Sequence, residues 1–150
     1  MKLFVIFAGL LLSVAGKQAH AADPLKAILA QYMVLKDALV DSDPVAAAAQ
    51  AKVLLKSLEG PNWESLKKDT KAIADSKDIK KQREAFASLS DKLYALVKAS
   101  KPGTTIYYQH CPMFNSGKGA NWLSLQSEIR NPFYGDMMIS CGSTAETIKQ

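Results

Sequence analysis

The chain has 150 residues, of which 22% are charged, and its 19 basic and 14 acidic side chains give a formal net charge of +5. This length is enough for one domain with its own hydrophobic core. The excess of positive charge is mild, and the lysines are spread along the chain rather than grouped in one block. The composition therefore argues against a nucleic-acid-binding protein.

The N-terminus has the pattern of a secretory signal peptide. Met1-Lys2 is a short positive start, residues 3–15 are almost continuously apolar, and Ala19-His20-Ala21 matches an A-x-A cleavage site. The apolar run is shorter than the roughly 20 residues that a membrane-spanning helix needs. We therefore expect residues 1–21 to be a signal peptide. The mature protein, residues 22–150, is then periplasmic or secreted, with no stable membrane insertion.

Four segments between Asp23 and Ser100 have the apolar periodicity of α-helices. Asp23-Pro24 and Asp43-Pro44 each combine an N-cap residue with proline at the first helical position. Because the connections are short, the sequence predicts an all-α fold, an up-and-down four-helix bundle over residues 22–103. The predicted buried faces comprise Leu25, Ile28, Leu29, Tyr32, Leu35 and Leu39; Val45, Ala48, Ala51, Leu55 and Leu58; Trp63, Leu66 and Ile73; and Ile79, Phe86, Leu89, Leu93, Leu96 and Val97.

Residues 104–150 have a different composition from the helical part. Thr104 to Tyr108 are β-branched or aromatic, which favours an extended segment. Asp136 is predicted to cap a short helix that runs through Cys141. This C-terminal part is too short to fold alone, so we expect it to pack on the bundle within a single domain. The residues predicted to make that contact are Ile106, Trp122, Leu123, Ile129 and Phe133.

The C-terminal part also contains both cysteines of the chain and three of its five methionines. On a regular strand, Cys111 and Met113 would point to the same face. On a helical turn, Met138 and Cys141 would do the same. Together these pairs would form a site of two thiolates and two thioethers, a ligand set that favours Cu(I) over hard cations such as Mg²⁺.

Two nearby residues are expected to lie off this site. Met137 would point roughly 100° away from Met138 on a helix. His110 would point away from Cys111 on a regular strand, and it is retained only as an additional metal ligand in reserve.

The C-terminal motifs carry a resemblance to a known family. They are the strings His110-Cys111-Pro112-Met113, Gly119–Ser124 and Glu128–Gly135, followed by Met138 and Cys141-Gly142. With these motifs the chain resembles a family of small exported bacterial domains, catalogued as the domain of unknown function number 3347. The resemblance covers about residues 25–150, and its specific motifs lie in about the last 45.

Domains of this family occur alone or attached to the membrane-fusion subunits of heavy-metal efflux pumps. The resemblance therefore implies a periplasmic role linked to Cu(I) or Ag(I), with Cys111, Met113, Met138 and Cys141 as metal ligands. It also implies a membrane-fusion or pump subunit as the partner.

The alternative interpretation is a structural disulfide between Cys111 and Cys141, the commonest state of two cysteines in an exported protein. Closing a loop of about 30 residues would stabilise the fold by roughly 3–4 kcal/mol in the chain-entropy model. The protein would then be an interaction module of the periplasm with no metal cofactor.

An enzyme is not expected from this sequence. After removal of the signal peptide, His110 is the only histidine, and it lacks the partners of a catalytic triad. The chain also has no zinc-protease motif, no phosphate-binding glycine loop and no nucleophile elbow.

Overall fold

A computed structural model describes residues 23–100 and 103–149, so the predicted signal peptide lies outside the described residues. Within them, no helix is both long enough and apolar enough to cross a bilayer. The N-terminal part contains four helices, and a short 3₁₀ turn, Pro61–Trp63, precedes the third. The helices are α1 (Pro24–Val40), α2 (Pro44–Ser57), α3 (Glu64–Asp75) and α4 (Ile79–Ser100).

The two Asp-Pro pairs begin helices, as predicted. The Asp23 carboxylate accepts a hydrogen bond of 3.1 Å from the Leu25 amide at the start of α1. The Asp43 carboxylate accepts bonds of 2.9 Å from the amides of both Val45 and Ala46 at the start of α2. Each aspartate thus satisfies amides that the first helical turn leaves without a partner.

The helices pack in sequence order, and short connections join them. The predicted buried faces of α1 and α4 are largely confirmed, but the face of α2 was predicted partly in the wrong register. Ala47, Ala51 and Leu54 are buried there, whereas Val45 is 72% exposed. The helix contains four consecutive alanines at positions 46–49, and a run of identical residues does not show which face of the helix is buried.

The all-α prediction is wrong for the C-terminal part, which forms a three-stranded antiparallel sheet. Its strands are β1 (Ile106–Cys111), β2 (Ala120–Ser124) and β3 (Ser143–Ile148), in the spatial order β2-β1-β3. The extended segment predicted near residue 106 is therefore the central strand. Its two neighbours have little apolar alternation, and β3 is mostly exposed, so their sequences lack the usual strand pattern.

The sheet and the helices share one hydrophobic core, as the predicted packing of the C-terminal part requires. Ile106, Trp122, Leu123 and Phe133 are buried in the same cluster as the apolar faces of the helices, and Ile129 packs against it. One face of β1 meets α4, where Tyr108 stacks on Tyr94 with ring centroids 3.8 Å apart.

The opposite face of β1 is covered by the segment between β2 and β3. Gln109 points to this side, and its side-chain amide donates to the main-chain carbonyls of Gln126 and Ser127. The main chain of residues 126–128 therefore lies over the side of the sheet that also carries Cys111.

Candidate metal centre

The two cysteines lie at the ends of two adjacent strands. Cys111 is the last residue of β1, pairs with Ala120 of β2 and is fully buried. Cys141 is half-buried and precedes β3 by one residue, Gly142. Because β1 and β3 pair antiparallel, the last residues of β1 and the first residues of β3 lie at the same end of the sheet.

The two cysteines lie near each other at this end of the sheet, and both are free thiols outside disulfide range. Burial raises the pKa of the Cys141 thiol, and repulsion from Cys111 and a hydrogen bond with it raise that pKa further. The sulfur atoms are not bonded to each other, and a disulfide would require them to approach further. The fold thus brings together two thiols that are 30 positions apart in the sequence.

Asn131 holds the backbone that carries Cys141. Its side-chain Nδ2 donates a hydrogen bond of 2.8 Å to the Cys141 carbonyl, and its main-chain amide donates one of 2.7 Å to the Ile139 carbonyl. Its Oδ1 accepts from the Phe133 amide at 2.8 Å. Since Asn131 is fully buried, these bonds form without competition from water.

The backbone after Cys141 must come very close to β1. Gly142 has a φ of +144°, and a Cβ atom at this position would lie 2.6 Å from the His110 carbonyl oxygen and 3.1 Å from the Trp122 ring. Any larger residue here would push the Cys141 segment away from the strand. Gly142 is therefore a steric requirement for the proximity of the two thiols.

The geometry predicted for Met113 is wrong. The strand ends at Cys111, and Met113 has helical backbone angles, φ −84° and ψ −22°. It therefore does not share a strand face with Cys111. Its side chain is 52% exposed, and its carbonyl accepts a hydrogen bond of 3.0 Å from the Tyr134 hydroxyl.

The short helix predicted to join Asp136 to Cys141 is also wrong. The structure has a single 3₁₀ turn, Gly135–Met137, whose first residue follows Tyr134 without a side-chain cap. Met138 leaves the helical conformation, with φ −150° and ψ 51°. A tight turn then connects Met138 to Cys141, because the Cys141 amide donates 3.0 Å to the Met138 carbonyl.

His110 lies on the face of β1 opposite Cys111. Its Nδ1 is 2.8 Å from Oδ1 of Asn121, its cross-strand partner. The Asn121 side chain donates in turn to Asp91 of α4 at 3.3 Å, and so does the Tyr108 hydroxyl at 2.8 Å. The imidazole thus belongs to a polar network between the sheet and α4.

Among residues 23–100 and 103–149, no three His, Cys, Asp or Glu side chains converge as a metal-binding group. The two thiols are thus the only ligands of these types at the site in the described part of the chain. A metal ion held there would need further donors, and Met113 and Met138 are the adjacent residues with suitable side chains.

The role of Asn131 was missed at the sequence level, although a local signal was present. Asparagine before proline is typical of a turn, because the asparagine side chain bonds to the backbone two residues on. The bond from Phe133 to Asn131 is of this kind. The bond to Cys141 spans ten positions, and no local pattern indicates it.

Comparison with known proteins identifies the family of the helical part. The family model described as a protein of unknown function (DUF3347) matches residues 28–105, slightly more than half of the chain. The matched region runs from α1 to the residue before β1, so both cysteines lie beyond it. Neither the curated proteins nor the solved structures include a significant match to this chain. By its helical part, the protein belongs to the DUF3347 family.

Proposed function

We propose that this protein is exported and binds Cu(I) or Ag(I) in connection with heavy-metal resistance or efflux. The observation that carries the proposal is that Cys111 and Cys141, which come from distant parts of the chain, lie at neighbouring ends of two paired strands as free thiols. Each thiol has a methionine within three residues, Met113 on one side and Met138 on the other.

The chemistry of these donors favours a soft metal ion. Thiolates and thioethers select Cu(I) and related ions, whereas Mg²⁺, Ca²⁺ and Mn²⁺ prefer carboxylate, carbonyl and water oxygens. Binding would replace thiol protons by the metal ion, which removes the repulsion that two neighbouring thiolates would otherwise feel. Burial raises the pKa of the Cys141 thiol, and repulsion from Cys111 adds to that increase.

The exposure of the four side chains suits an ion that is passed on. Cys111 is fully buried, Cys141 is half-buried, and Met138 and Met113 are 40% and 52% exposed. Thioethers at the surface can exchange ligands with an incoming carrier, while the buried thiol retains the ion. This difference in exposure between the cysteines and the methionines supports metal transfer rather than a structural metal site, which would enclose all of its ligands.

Export and the efflux partner rest on the sequence. The signal-peptide pattern of residues 1–21 supports a periplasmic or secreted location. The resemblance of the C-terminal motifs supports a membrane-fusion or pump subunit as the partner. Intact mass of the protein recovered from its producing cell tests export: cleavage after Ala21 or Ala22 supports it, and retention of Met1 contradicts it.

The proximity of the two thiols also favours a second candidate, an interaction module of the periplasm with a Cys111–Cys141 disulfide. A small movement that brings the two sulfur atoms within bonding distance would allow a disulfide to form in an oxidising compartment. Thiol counting on protein purified from the periplasm distinguishes the two. Two reactive thiols after denaturation support the metal interpretation, and none supports the disulfide.

The decisive experiment is an anaerobic titration of the reduced mature protein with Cu(I) against a competing chelator. Met113→Leu and Met138→Leu remove sulfur while retaining most of the side-chain volume, so stability should change by less than about 1.5 kcal/mol. Each should weaken Cu(I) binding, and Cys111→Ser or Cys141→Ser should weaken it further.

Met137→Leu is the matched control. Met137 neighbours Met138 but is 75% exposed and belongs to no part of the proposed donor set, so its replacement should leave Cu(I) affinity unchanged. If the Met113 and Met138 variants bind Cu(I) as tightly as the parent, the four-sulfur site is wrong.

A further inference from the structure

A cavity lies between α4 and the C-terminal segment, and neither cysteine lines it. It has a volume of about 480 Å³ and is bounded mainly by Phe114, Phe133, Tyr134, Met137, Lys80 and Arg83. This size falls within the range of small-molecule pockets. Three aromatic side chains form part of its wall, with Phe114 stacked on Phe133 at 4.5 Å and edge-on to Tyr134 at 6.3 Å between ring centroids.

The unusual feature of this pocket is Arg83, a cation that is only 6% exposed. Its hydrogen-bond partners are all neutral. Nε donates 2.8 Å to the Pro132 carbonyl, and Nη2 donates 3.0 Å to the Leu39 carbonyl and 2.9 Å to the Ser42 hydroxyl. Within residues 23–100 and 103–149, no carboxylate forms an ion pair with Arg83.

One end of this guanidinium remains free to bind. Arginine has five N–H donors, and the three contacts above use Nε and Nη2. Nη1 has no hydrogen-bond partner among the described residues. It does not belong to the buried polar atoms without a partner, so it is accessible to solvent. Because Arg83 lines the pocket, Nη1 can donate to a molecule that enters it.

The other charged groups leave this cation uncompensated. Lys80 lies one helical turn before Arg83, and Glu84 follows it; both line the same pocket. Lys80, Arg83 and Glu84 together give the pocket a net charge of +1, and among the described residues no ion pair joins Glu84 to either cation. A buried charge without a counter-ion is costly, and an anionic ligand would remove that cost.

We propose that this pocket binds a small carboxylate that carries an apolar, preferably aromatic, group. The carboxylate accepts from Nη1 of Arg83 and is attracted by Lys80, and the apolar group packs between Phe114 and Tyr134. Arginine binds carboxylates with good geometry, and its charge-assisted hydrogen bonds are strong. Such a site is separate from the cysteine pair and does not depend on the metal-binding proposal.

The test uses the whole mature protein and two matched probes, 3-phenylpropionate and its neutral amide, 3-phenylpropanamide. Binding is followed by the backbone amide shifts in nitrogen-15 NMR spectra. The carboxylate should bind about tenfold or more tightly than the amide, because only the carboxylate neutralises Arg83. The shifts should cluster at residues 80–84, 114–116 and 134–137.

Substitutions then locate the site without disturbing Arg83, which also anchors α1 and Pro132. Lys80→Gln should weaken 3-phenylpropionate binding by about two- to fivefold, the usual effect of an exposed charge. Lys81→Gln, one position further on the same helix and outside the pocket, should have no effect. Met113→Leu should also leave this binding unchanged, which separates the pocket from the sulfur site.

N-acetylphenylalanine and its amide distinguish the two sources of such a carboxylate. Tighter binding of N-acetylphenylalanine than of 3-phenylpropionate identifies the C-terminus of a peptide as the ligand, and the reverse order identifies a free acid. Equal affinity for each acid and its amide, shifts outside the three segments, or equal effects of the Lys80 and Lys81 substitutions would overturn the proposal.

Discussion

The side-chain amide of Asn131 donates a 2.8 Å hydrogen bond to the main-chain carbonyl of Cys141. With the bond from the Asn131 amide to the Ile139 carbonyl, it fixes the turn that carries the second thiol. The position of Cys141 relative to Cys111 is therefore set by a residue that does not contact a metal.

Asn131→Asp is the sharpest test of this relationship. The substitution retains the acceptor for the Phe133 amide but removes the donor to Cys141, and leaves the buried carbonyl unsatisfied. The free energy of unfolding should fall by about 1–3 kcal/mol in a urea titration. Cu(I) affinity should fall as well, although every sulfur atom is retained. Asn62→Ala, at an exposed position before α3, should change neither quantity.

Leu89 and Leu93 on α4 should be among the most sensitive core positions. Both are at most 1% exposed, so replacing either with alanine leaves a cavity in the shared core of helices and sheet. We expect each to cost roughly 2–5 kcal/mol of unfolding free energy. Val45→Ala is the control and should cost close to nothing, because Val45 is exposed. A cost below about 1 kcal/mol at both leucines would contradict the packing of α4.

Cu(I) affinity should increase with pH. The pKa of Cys141 is raised above its ordinary value, so Cys141 is protonated near neutral pH and must release a proton when metal binds. Each proton released makes the apparent dissociation constant fall about tenfold per pH unit. The slope should therefore be at least one decade per unit between about pH 6 and 8.

Cys141→Ser provides the matched measurement for this pH dependence. Serine does not ionise in this range, so the slope should decrease by about one proton while the affinity at any given pH is lower. A pH slope that the substitution leaves unchanged would show that Cys141 is not a ligand.

Ionised Glu146 on β3 should stabilise the protein at neutral pH, and this contribution should be lost in acid. The hydrogen bond from Tyr94, together with Lys98, lowers the pKa of the Glu146 carboxyl. A carboxyl whose pKa is lower in the folded state stabilises the fold at pH values above its unfolded pKa, which is about 4.3 for glutamate. This stabilisation is lost as the pH falls through the pKa of the folded state. Wild type should therefore exceed Glu146→Gln in stability at neutral pH and converge with it at about pH 2.

Glu128→Gln is the control for that comparison. Glu128 is exposed and forms no ion pair with another described residue, so its replacement should not change the dependence of unfolding on pH. Equal pH profiles for Glu146→Gln and wild type would contradict the contact between β3 and α4.

The helices could be predicted from the sequence because their signals are local. Asp23 and Asp43 act within three residues of the amides that they cap, and the apolar faces recur within each helix. The sheet could not be predicted in this way. β1 pairs with a strand beyond residue 140, and the exposed face of β3 has no apolar alternation that would identify it as a strand.

The sequence indicated the residue types of the candidate site, but not the backbone conformation that positions them. Pro112 follows Cys111 directly and has no N–H to donate to a ladder, which is consistent with the end of β1 at Cys111 and with the turn that contains Met113. Near Cys141, the turn is held by Asn131 rather than by a helix that Asp136 would cap. Pro112 is a local signal, whereas the bond from Asn131 to Cys141 spans ten positions, and periodicity does not record such bonds.

The strand order also determines when the two thiols can meet. β1 is the central strand of the sheet, and β3 is the last strand in the chain. The pairing of β3 with β1 places Cys141 near Cys111. In a chain that crosses a membrane N-terminus first, α1 to α4 and the β1–β2 hairpin emerge before Cys141 does. Until then Cys111 has no intramolecular thiol partner and can be oxidised or capture metal alone. If the protein is exported as proposed, the interval between the emergence of Cys111 and the pairing of β3 is the period in which a chaperone or reductant would protect its thiols most effectively.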